Sequence, residues 1–355
     1  MKIVRSLPRD AWREHVLRHP DGNIFLTPEM TEVFAQASGF EPELWAVAEG
    51  DEILALMIPV RVNLVNSVFA RRLTTRAIAF GSALVAPGPQ GREALSRLLA
   101  AYSEEARGAA LFTEFRNISD MDAFRDVFGK HRYQYEGHLN FLIDLARPAE
   151  AVFQGIGRRT RKNIRRALNR GLVQVKCITE RKDLETCYEI LSQSYRNASV
   201  PLAGLSLFEA AFKILRPRNM IRFSLATVEG RPVATSIDLL YKDTVFGWYG
   251  GTLRGGPTHA ANEVLTWDVL KWGAENGYRR YDFGGAGRPQ EKYGVRDFKA
   301  KFGGRLTGYG RYVCVHSPLL LRLSQIAYGK LRFWLYGRSR SKAKGRQVPP
   351  TGAAR

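Results

Sequence analysis

The sequence has few cysteines and no long apolar run, and these absences exclude two classes of protein. Only three cysteines occur in 355 residues, scattered along the chain, so neither a disulfide framework nor a cysteine-based metal site is expected. No stretch reaches the roughly 18 apolar residues that a membrane-spanning helix needs. The first residues are charged and lack the apolar segment of a secretory signal. We therefore expect a cytoplasmic protein in a reducing compartment.

The motifs of several common enzyme classes are also missing. The six histidines are dispersed without the spacing of a metal site. Neither a G-x-S-x-G nucleophile elbow nor a Walker phosphate loop occurs. We therefore expect no metal and no tightly bound cofactor.

Acidic residues are absent from two strongly basic stretches. Residues 158–170 contain seven basic residues and no acidic one, and thirteen basic residues but no acidic one follow Asp297. These two stretches account for the whole net charge of +20. Localised basic elements indicate specific contacts with a polyanion. The candidates are RNA, a pyrophosphate-linked precursor and an anionic membrane surface.

The same order of predicted elements occurs twice along the chain. Residues 43–60 and residues 222–241 each read as two strands joined by a tight Glu-Gly turn. Each pair precedes an amphipathic helix, at 92–108 and at 261–277, and then another strand. This order predicts a duplicated α+β domain.

A basic helix is predicted at the start of the second half. Ile164, Ala167 and Leu168 share one face of residues 158–171 on a helical wheel. The other face carries most of the cations, namely Arg158, Arg161, Lys162 and Arg165. One interpretation is a solvated surface. The other is an anion-binding face, because solvated helix faces usually mix charges of both signs.

A second amphipathic helix is predicted near the C-terminus, beginning at Pro318. Its apolar face consists of Leu320, Leu323, Ala327, Leu331 and Trp334. One interpretation is a helix that packs on the body of the protein, and the other is an interfacial helix on anionic lipid. The segment after Gly337 is cationic with nothing to bury, and we expect it to be disordered.

Residues 282–304, DFGGAGRPQEKYGVRDFKAKFGG, are rich in glycine. Gly284 and Gly285 follow a predicted strand that ends at Phe283, where backbone N–H groups could bind phosphate. An ordinary tight turn is the alternative interpretation. Lys299 and Lys301 lie between two aromatic residues in the same segment.

This glycine-rich segment, the preceding FGWYGG and ANEVLTWDVLKWGAENG, and the basic RRTRKNIRRALNRG together resemble the FemABX family, which is related to the GNAT acyltransferases. The resemblance extends over residues 20–336, with its specific motifs in 158–171 and 246–304. It implies two tandem GNAT-like domains. It also implies transfer of an aminoacyl group from aminoacyl-tRNA onto an amine of a peptidoglycan precursor.

The resemblance also suggests catalytic and substrate-binding residues. Attack of an amine on an ester carbonyl builds an oxyanion, which a lysine ammonium can stabilise. Lys299 occupies the FK position of the family motif and is the first candidate, whereas Lys301 would point the opposite way if this stretch is extended. The alternative is that Lys299 only pairs with a nearby aspartate. The hydroxyl of Tyr249 is a further catalytic candidate, and that of Tyr195 a substrate-binding one.

A third loop bears on the identity of the acyl donor. Arg254, Gly255 and Gly256 stand where GNAT enzymes hold the pyrophosphate of coenzyme A. Pro257 removes one N–H donor from this loop, so the full acyl-CoA pattern is not met. Aminoacyl-tRNA is therefore the expected donor, with acyl-CoA as the alternative.

Together these observations predict an α+β fold with two tandem GNAT-like domains, mixed central sheets flanked by helices, and a C-terminal amphipathic helix. The predicted boundaries are 1–148, 149–316, a helix at 317–336 that packs on the body, and a basic tail at 337–355. The predicted function is a FemAB-like acyltransferase that forms an amide on an anionic cell-envelope precursor, nucleotide-linked or lipid-linked. Alternatives are an acyl-CoA-dependent N-acyltransferase and a non-catalytic RNA-binding or membrane-surface module. The expected partners are this precursor, tRNA and, through the basic tail, an anionic membrane surface at the inner face of the membrane.

Overall fold

The computed structural model describes residues 1–63, 73–254 and 259–326. The helices that lie wholly within these ranges are α1 Arg9–Arg18, α2 Pro28–Gln36, α3 Gly88–Ala109, α4 Arg125–Lys130, α5 Ala149–Gln154, α6 Arg158–Asn169, α7 Arg181–Ala198, α8 Leu205–Leu215, α9 Ala261–Glu275 and α10 Gly294–Ala300. Three short 3-10 turns cover Ile24–Leu26, Asp122–Phe124 and Arg216–Arg218.

The strands form two mixed sheets. The first sheet has the order β1-β3-β4-β5-β6-β15-β7, with β2 paired to β4. The second has the order β14-β8-β13-β12-β11-β10-β9. The strands are β1 Lys2–Val4, β2 Phe40–Pro42, β3 Trp45–Glu49, β4 Glu52–Val62, β5 Arg76–Val85, β6 Phe112–Arg116, β7 Gln134–Glu136, β8 Asn140–Asp144, β9 Gln174–Cys177, β10 Ile221–Val228, β11 Arg231–Tyr241, β12 Thr244–Thr252, β13 Arg280–Gly285, β14 Arg305–Thr307 and β15 Arg311–Val315.

The predicted duplication is confirmed by the order and pairing of these elements. In each half an antiparallel hairpin, β3–β4 or β10–β11, is followed by a strand, a long helix and a second strand parallel to the first. The hairpin turns are where the Glu-Gly pairs predicted them, and Gly50 and Gly230 both have positive φ. The turn chemistry is local, so it is readable from the sequence.

Each sheet is completed by a strand from the other half of the chain. β8 lies before the predicted boundary at residue 148 but pairs with β13 and β14 of the second sheet. β15 lies before residue 316 but pairs with β6 and β7 of the first sheet. The chain therefore crosses from the first sheet to the second near residue 138 and returns near residue 308. β8 and β15 are internal strands whose neighbours are distant in sequence, so local patterns do not reveal this exchange. The boundaries of independently folding domains remain a prediction.

The hydrophobic core has three layers, and the middle one is shared by both halves. Helix α3 covers the outer face of the first sheet, and α5, α6 and α9 cover the outer face of the second. Between the sheets, residues of α1 and α2 pack in one cluster with residues of α7, α8, β10 and β11. Apolar surface removed from water in this layer stabilises both sheets together, and it fixes the two inner faces relative to each other.

The predicted C-terminal helix is present where it is described, but its apolar side is open. Residues 318–326 are helical, and Leu319, Leu323 and Ile326 are 77%, 56% and 58% exposed. Leu320 of the predicted apolar face, by contrast, borders a pocket with Arg107 and Leu111. Periodicity shows that a helix is amphipathic but not what covers its apolar face, so packing of this helix on the body remains a prediction. Ala327, Leu331, Trp334 and the tail at 337–355 lie outside the described residues.

Candidate active site

Lys299 is held against the glycine-rich end of β13. Its Nζ donates hydrogen bonds to the carbonyl oxygens of Phe283 at 2.5 Å, Gly285 at 2.8 Å and Gly284 at 3.3 Å. The residues around it form helix α10, so the condition that this stretch is extended, under which Lys301 would point the opposite way, is not met. Burial lowers the pKa of Lys299 to about 8, against the opposing effect of the Asp282 charge. The ammonium group therefore hydrogen-bonds to three consecutive backbone carbonyls at the end of β13.

Asp282 organises the same turn from the other side. Its carboxylate accepts hydrogen bonds from the Asn140 side-chain amide at 2.6 Å and from the Gly284 N–H at 2.7 Å. Burial raises the pKa of Asp282, and the hydrogen bonds and Lys299 oppose that rise. The Gly284 N–H is therefore not free for phosphate, contrary to that interpretation of the glycines. Gly284 has φ +66°, a conformation that glycine adopts without strain.

The basic helix α6 begins beside this segment. The Gly157 N–H donates to the carbonyl oxygen of Lys301 at 2.8 Å, one residue before α6 starts. Thr160, Ile164 and Ala167 are buried, whereas Leu168 is 45% exposed. Leu168 was expected on the apolar face, but the buried stripe is narrower than the helical wheel suggests. The cationic face of α6 is thereby open to solvent next to the lysine segment.

Most cations of residues 158–170 have no acidic partner. Arg165 lies 3.9 Å from Glu150 of α5 and 5.0 Å from the Phe153 ring. Arg161 donates to the backbone and side chain of Gln154. Arg158 and Lys162 form no ion pair with any residue of the described ranges. The uncompensated charge that the sequence indicated is thus present on the folded surface.

Lys301 is not part of the cluster around Lys299. Its Nζ lies 3.8 Å from a Glu263 carboxylate oxygen at the start of α9 and 5.5 Å from the Phe298 ring. The two lysines occupy different surroundings because α10 ends at Ala300 and the chain turns. Its predicted role in substrate binding remains a prediction.

Tyr195 and Tyr249 lie together in the shared layer between the sheets. Their ring centroids are 5.9 Å apart, and the Tyr249 ring also contacts those of Phe208 and Trp248. Burial raises the pKa of Tyr249 to about 12, while Arg116 and Arg76 act in the opposite direction. Tyr249 is in β12, the strand beside β13, so the structure brings it near the glycine-rich end. In the loop that was considered for coenzyme A, Arg254 is exposed. Gly255 and Gly256 of that loop lie outside the described residues.

One group near the site could not be inferred from the sequence. His138 and Arg311 flank Gly285, since a Cβ there would lie 3.0 Å from His138 Nε2 and 3.9 Å from an Arg311 nitrogen. Arg311 and Arg116 both hydrogen-bond to Glu114. These residues come from β6, β15 and the segment before β8, which no sequence motif connects.

The second half of the chain matches a model of a known protein family. Residues 157–299 match the family model described as acetyltransferase (GNAT) domain, which contains α6, the β12–β13 pair and Lys299. This part of the chain is similar to GNAT domains. The matched class is that of an acyltransferase, and at this level the predicted acyltransferase is confirmed. Comparison with curated proteins found no match.

Solved structures extend the similarity to the whole fold. The structure of FemX has a TM-score of 0.70 at 15% identity, with 91% of this chain and 99% of that chain covered. The C-terminal domain of a putative lysylphosphatidylglycerol synthetase from Agrobacterium fabrum has a TM-score of 0.55 at 16% identity, with 84% and 93% covered. A tandem GNAT protein from the clavulanic acid biosynthesis pathway has a TM-score of 0.54 at 10% identity, with 87% and 94% covered. The FemABX-like fold and the tandem GNAT-like arrangement are thus confirmed.

Proposed function

We propose that this chain is a FemAB-like transferase that moves an aminoacyl group from aminoacyl-tRNA onto an amine of an anionic cell-envelope precursor. The observation that carries the proposal is the Lys299 ammonium, held at the glycine-rich strand end beside the open cationic face of α6. The names of two similar proteins, FemX and a lysylphosphatidylglycerol synthetase, support transfer of an aminoacyl group in the cell envelope.

The geometry gives Lys299 a way to stabilise an oxyanion. Of its three hydrogen bonds, the one to Gly284 O is the longest at 3.3 Å and is the least costly to exchange for a substrate oxygen. When the amine attacks the ester carbonyl, the carbonyl oxygen gains negative charge and takes this place. The bond to the tRNA oxygen then breaks, the amide forms, and the proton of the amine leaves with the tRNA hydroxyl.

The direct test is a mass-spectrometric search for an amide product. Purified protein is incubated with an extract of envelope precursors and, in parallel, with charged tRNA or with acyl-CoA. An amide that forms only with charged tRNA supports the proposal. An amide that forms only with acyl-CoA favours an N-acyltransferase, the alternative that the matched acetyltransferase family model supports. Absence of product with both donors contradicts the proposal.

The cations of α6 are expected to bind the phosphates of the precursor. Arg158→Gln together with Lys162→Gln should raise the KM for the precursor about tenfold at low salt and reduce its salt dependence, because each phosphate contact releases counterions. Steady-state kinetics between 50 and 200 mM salt measure this. Arg97→Gln on α3, whose side chain pairs with Glu93, is the control that should change neither value. An unchanged salt slope in the double variant would make this face a solvated surface.

The C-terminal helix is expected to bring the protein to an anionic membrane. Leu319, Leu323 and Ile326 are exposed on it, and every charged residue from Arg322 to the C-terminus is basic. In residues 1–63, 73–254 and 259–326, no helix is long and apolar enough to cross a bilayer. An interfacial helix with a basic extension binds such surfaces by apolar burial and charge together.

Leu319→Asp with Leu323→Asp should therefore reduce sedimentation with anionic phospholipid vesicles at least tenfold, because two apolar contacts are lost and two negative charges are added. The melting temperature should not change, since both side chains are exposed. Leu17→Asp, at a similarly exposed leucine of α1, is the matched control and should still bind. Equal sedimentation of all three proteins would remove the helix from membrane binding.

A further inference from the structure

Two arginines stand directly opposite each other where the inner face of the first sheet ends. Arg311 of β15 pairs with Arg116 of β6 in the antiparallel register. Arg116 also pairs with Phe80 of β5, with its guanidinium 5.3 Å from the Phe80 ring, so these side chains face the shared layer. Like charges directly opposite on neighbouring strands repel each other. Their juxtaposition needs a compensating anion.

One carboxylate, Glu114, serves both arginines. One of its oxygens accepts from Arg116 Nε at 3.1 Å and Nη2 at 3.0 Å, and the other accepts from Arg311 Nη1. Glu136 of β7 lies directly opposite Arg311 on its other side and acts on it electrostatically. Its carboxylate, however, pairs with Arg288 at 2.8 Å, and that ion pair offsets its charge. Arg116 Nη1 and Arg311 Nε donate to no atom of the described residues. The pair therefore keeps one net positive charge and unused donors in a half-buried position.

The remaining neighbours do not supply the missing negative charge. His138 Nε2 lies 2.9 Å from Arg311 Nη2, and burial, helped by the Arg311 charge, lowers the pKa of His138 to about 4. The imidazole is thus neutral at pH 7. On the other side, Arg116 acts electrostatically on Tyr249.

The pair lies between the two parts of the candidate active site. On one side, His138 and Arg311 border Gly285, whose carbonyl oxygen accepts from Lys299. On the other, Arg116 is close enough to Tyr249 to influence its ionisation. An anion bound to the pair would therefore lie between Gly285, whose carbonyl oxygen Lys299 holds, and the side of Tyr249.

We propose that Arg116 and Arg311 bind an acidic group, a carboxylate or a phosphate ester, that is part of the amine acceptor. This inference rests on the proposed function, since it assumes an amine acceptor that reaches Lys299. Planar guanidinium groups bind such oxyanions through paired hydrogen bonds. Glu114 holds both guanidinium groups in place, and the cations of α6 remain available for more distant phosphates of the precursor.

Binding of small acceptor analogues tests this without turnover. Nα-acetyl-lysine and Nα-acetyl-lysine amide carry the same amine and differ in one carboxylate, and phosphoethanolamine and ethanolamine differ in one phosphate. Titration calorimetry with the full chain should show at least tenfold tighter binding of the acidic member of one pair, the size expected for hydrogen bonds between charged groups. Which pair shows the preference identifies the acidic group.

Arg116→Gln and Arg311→Gln should each abolish the preference for the acidic probe. Arg116→Lys should restore part of it, because lysine returns the positive charge but not the paired N–H donors of a guanidinium group. Glu114→Gln should strengthen binding of the acidic probe, which a purely structural role would not predict. Arg97→Gln, an exposed arginine on α3, should bind as the original protein does. Equal binding within both pairs, no binding of any probe, or an unchanged preference in Arg116→Gln and Arg311→Gln would overturn the inference. Absence of amide product with intact probe preference would instead count against the proposed reaction alone.

Discussion

A Lys299→Met variant should lose turnover by about a hundredfold or more, the size of effect seen when one oxyanion-stabilising donor is removed. The loss should appear in kcat rather than in KM, because the exchange with Gly284 O takes place only as charge develops on the substrate oxygen. Steady-state kinetics with the donor identified by mass spectrometry measure both constants. Lys292→Met, at an exposed lysine of the same segment, is the matched control.

The same change should also lower the stability of the folded protein. Methionine leaves the carbonyls of Phe283, Gly284 and Gly285 without their donor. A cost of about 1–3 kcal/mol is expected for such a loss. Activity is therefore compared at a temperature where both proteins remain folded. Full turnover in the folded variant would exclude Lys299 from the reaction.

The ionisation of Lys299 gives a second measurement of the same role. Burial lowers the pKa of Lys299 to about 8 from its usual 10.5, so turnover that needs the ammonium should fall as the pH rises through about 8. Between pH 8 and 10.5 the unfolded chain binds more protons at this position than the folded one, so the contribution of Lys299 to stability rises with pH. Opposite slopes of turnover and stability in this window would identify the ammonium as the active form.

Local patterns in the sequence predicted the repeated unit correctly. The hairpins follow from turn chemistry, and the long helix of each half follows from helical spacing. These signals lie within a few residues of each other. They can therefore be recognised without knowledge of the rest of the chain.

Contacts between distant residues could not be predicted. Asn140 and Asp282 are 142 positions apart, and Arg311 and Glu114 are 197 apart, so only the exchange of β8 and β15 brings them together. The helical state of α10 was also missed, because its seven residues are too few for periodicity to show. The sequence therefore identified Lys299 through its motif but not the helix on which its side chain lies.

Asp282→Ala should lower the free energy of unfolding by about 3 kcal/mol. The change leaves the Asn140 amide and the Gly284 N–H without their acceptor at a buried position. Buried donors without an acceptor are costly, and the Lys299 ammonium also loses its nearby negative charge. Urea unfolding measures the loss. Asp297→Ala, at an exposed aspartate of the same segment, is the control and should stay within about 0.5 kcal/mol.

Asp282→Asn separates the charge of this residue from its hydrogen bonds. Its Oδ1 can still accept from Asn140 and Gly284, so most of the stability should return. The Lys299 ammonium, however, loses the one negative charge that raises its pKa, so the fall in turnover should begin below pH 8. If the Asp282→Asn protein has the pH profile of the original protein, Asp282 does not act on Lys299. If the Asp282→Ala protein is as stable as the original protein, the turn does not depend on this carboxylate.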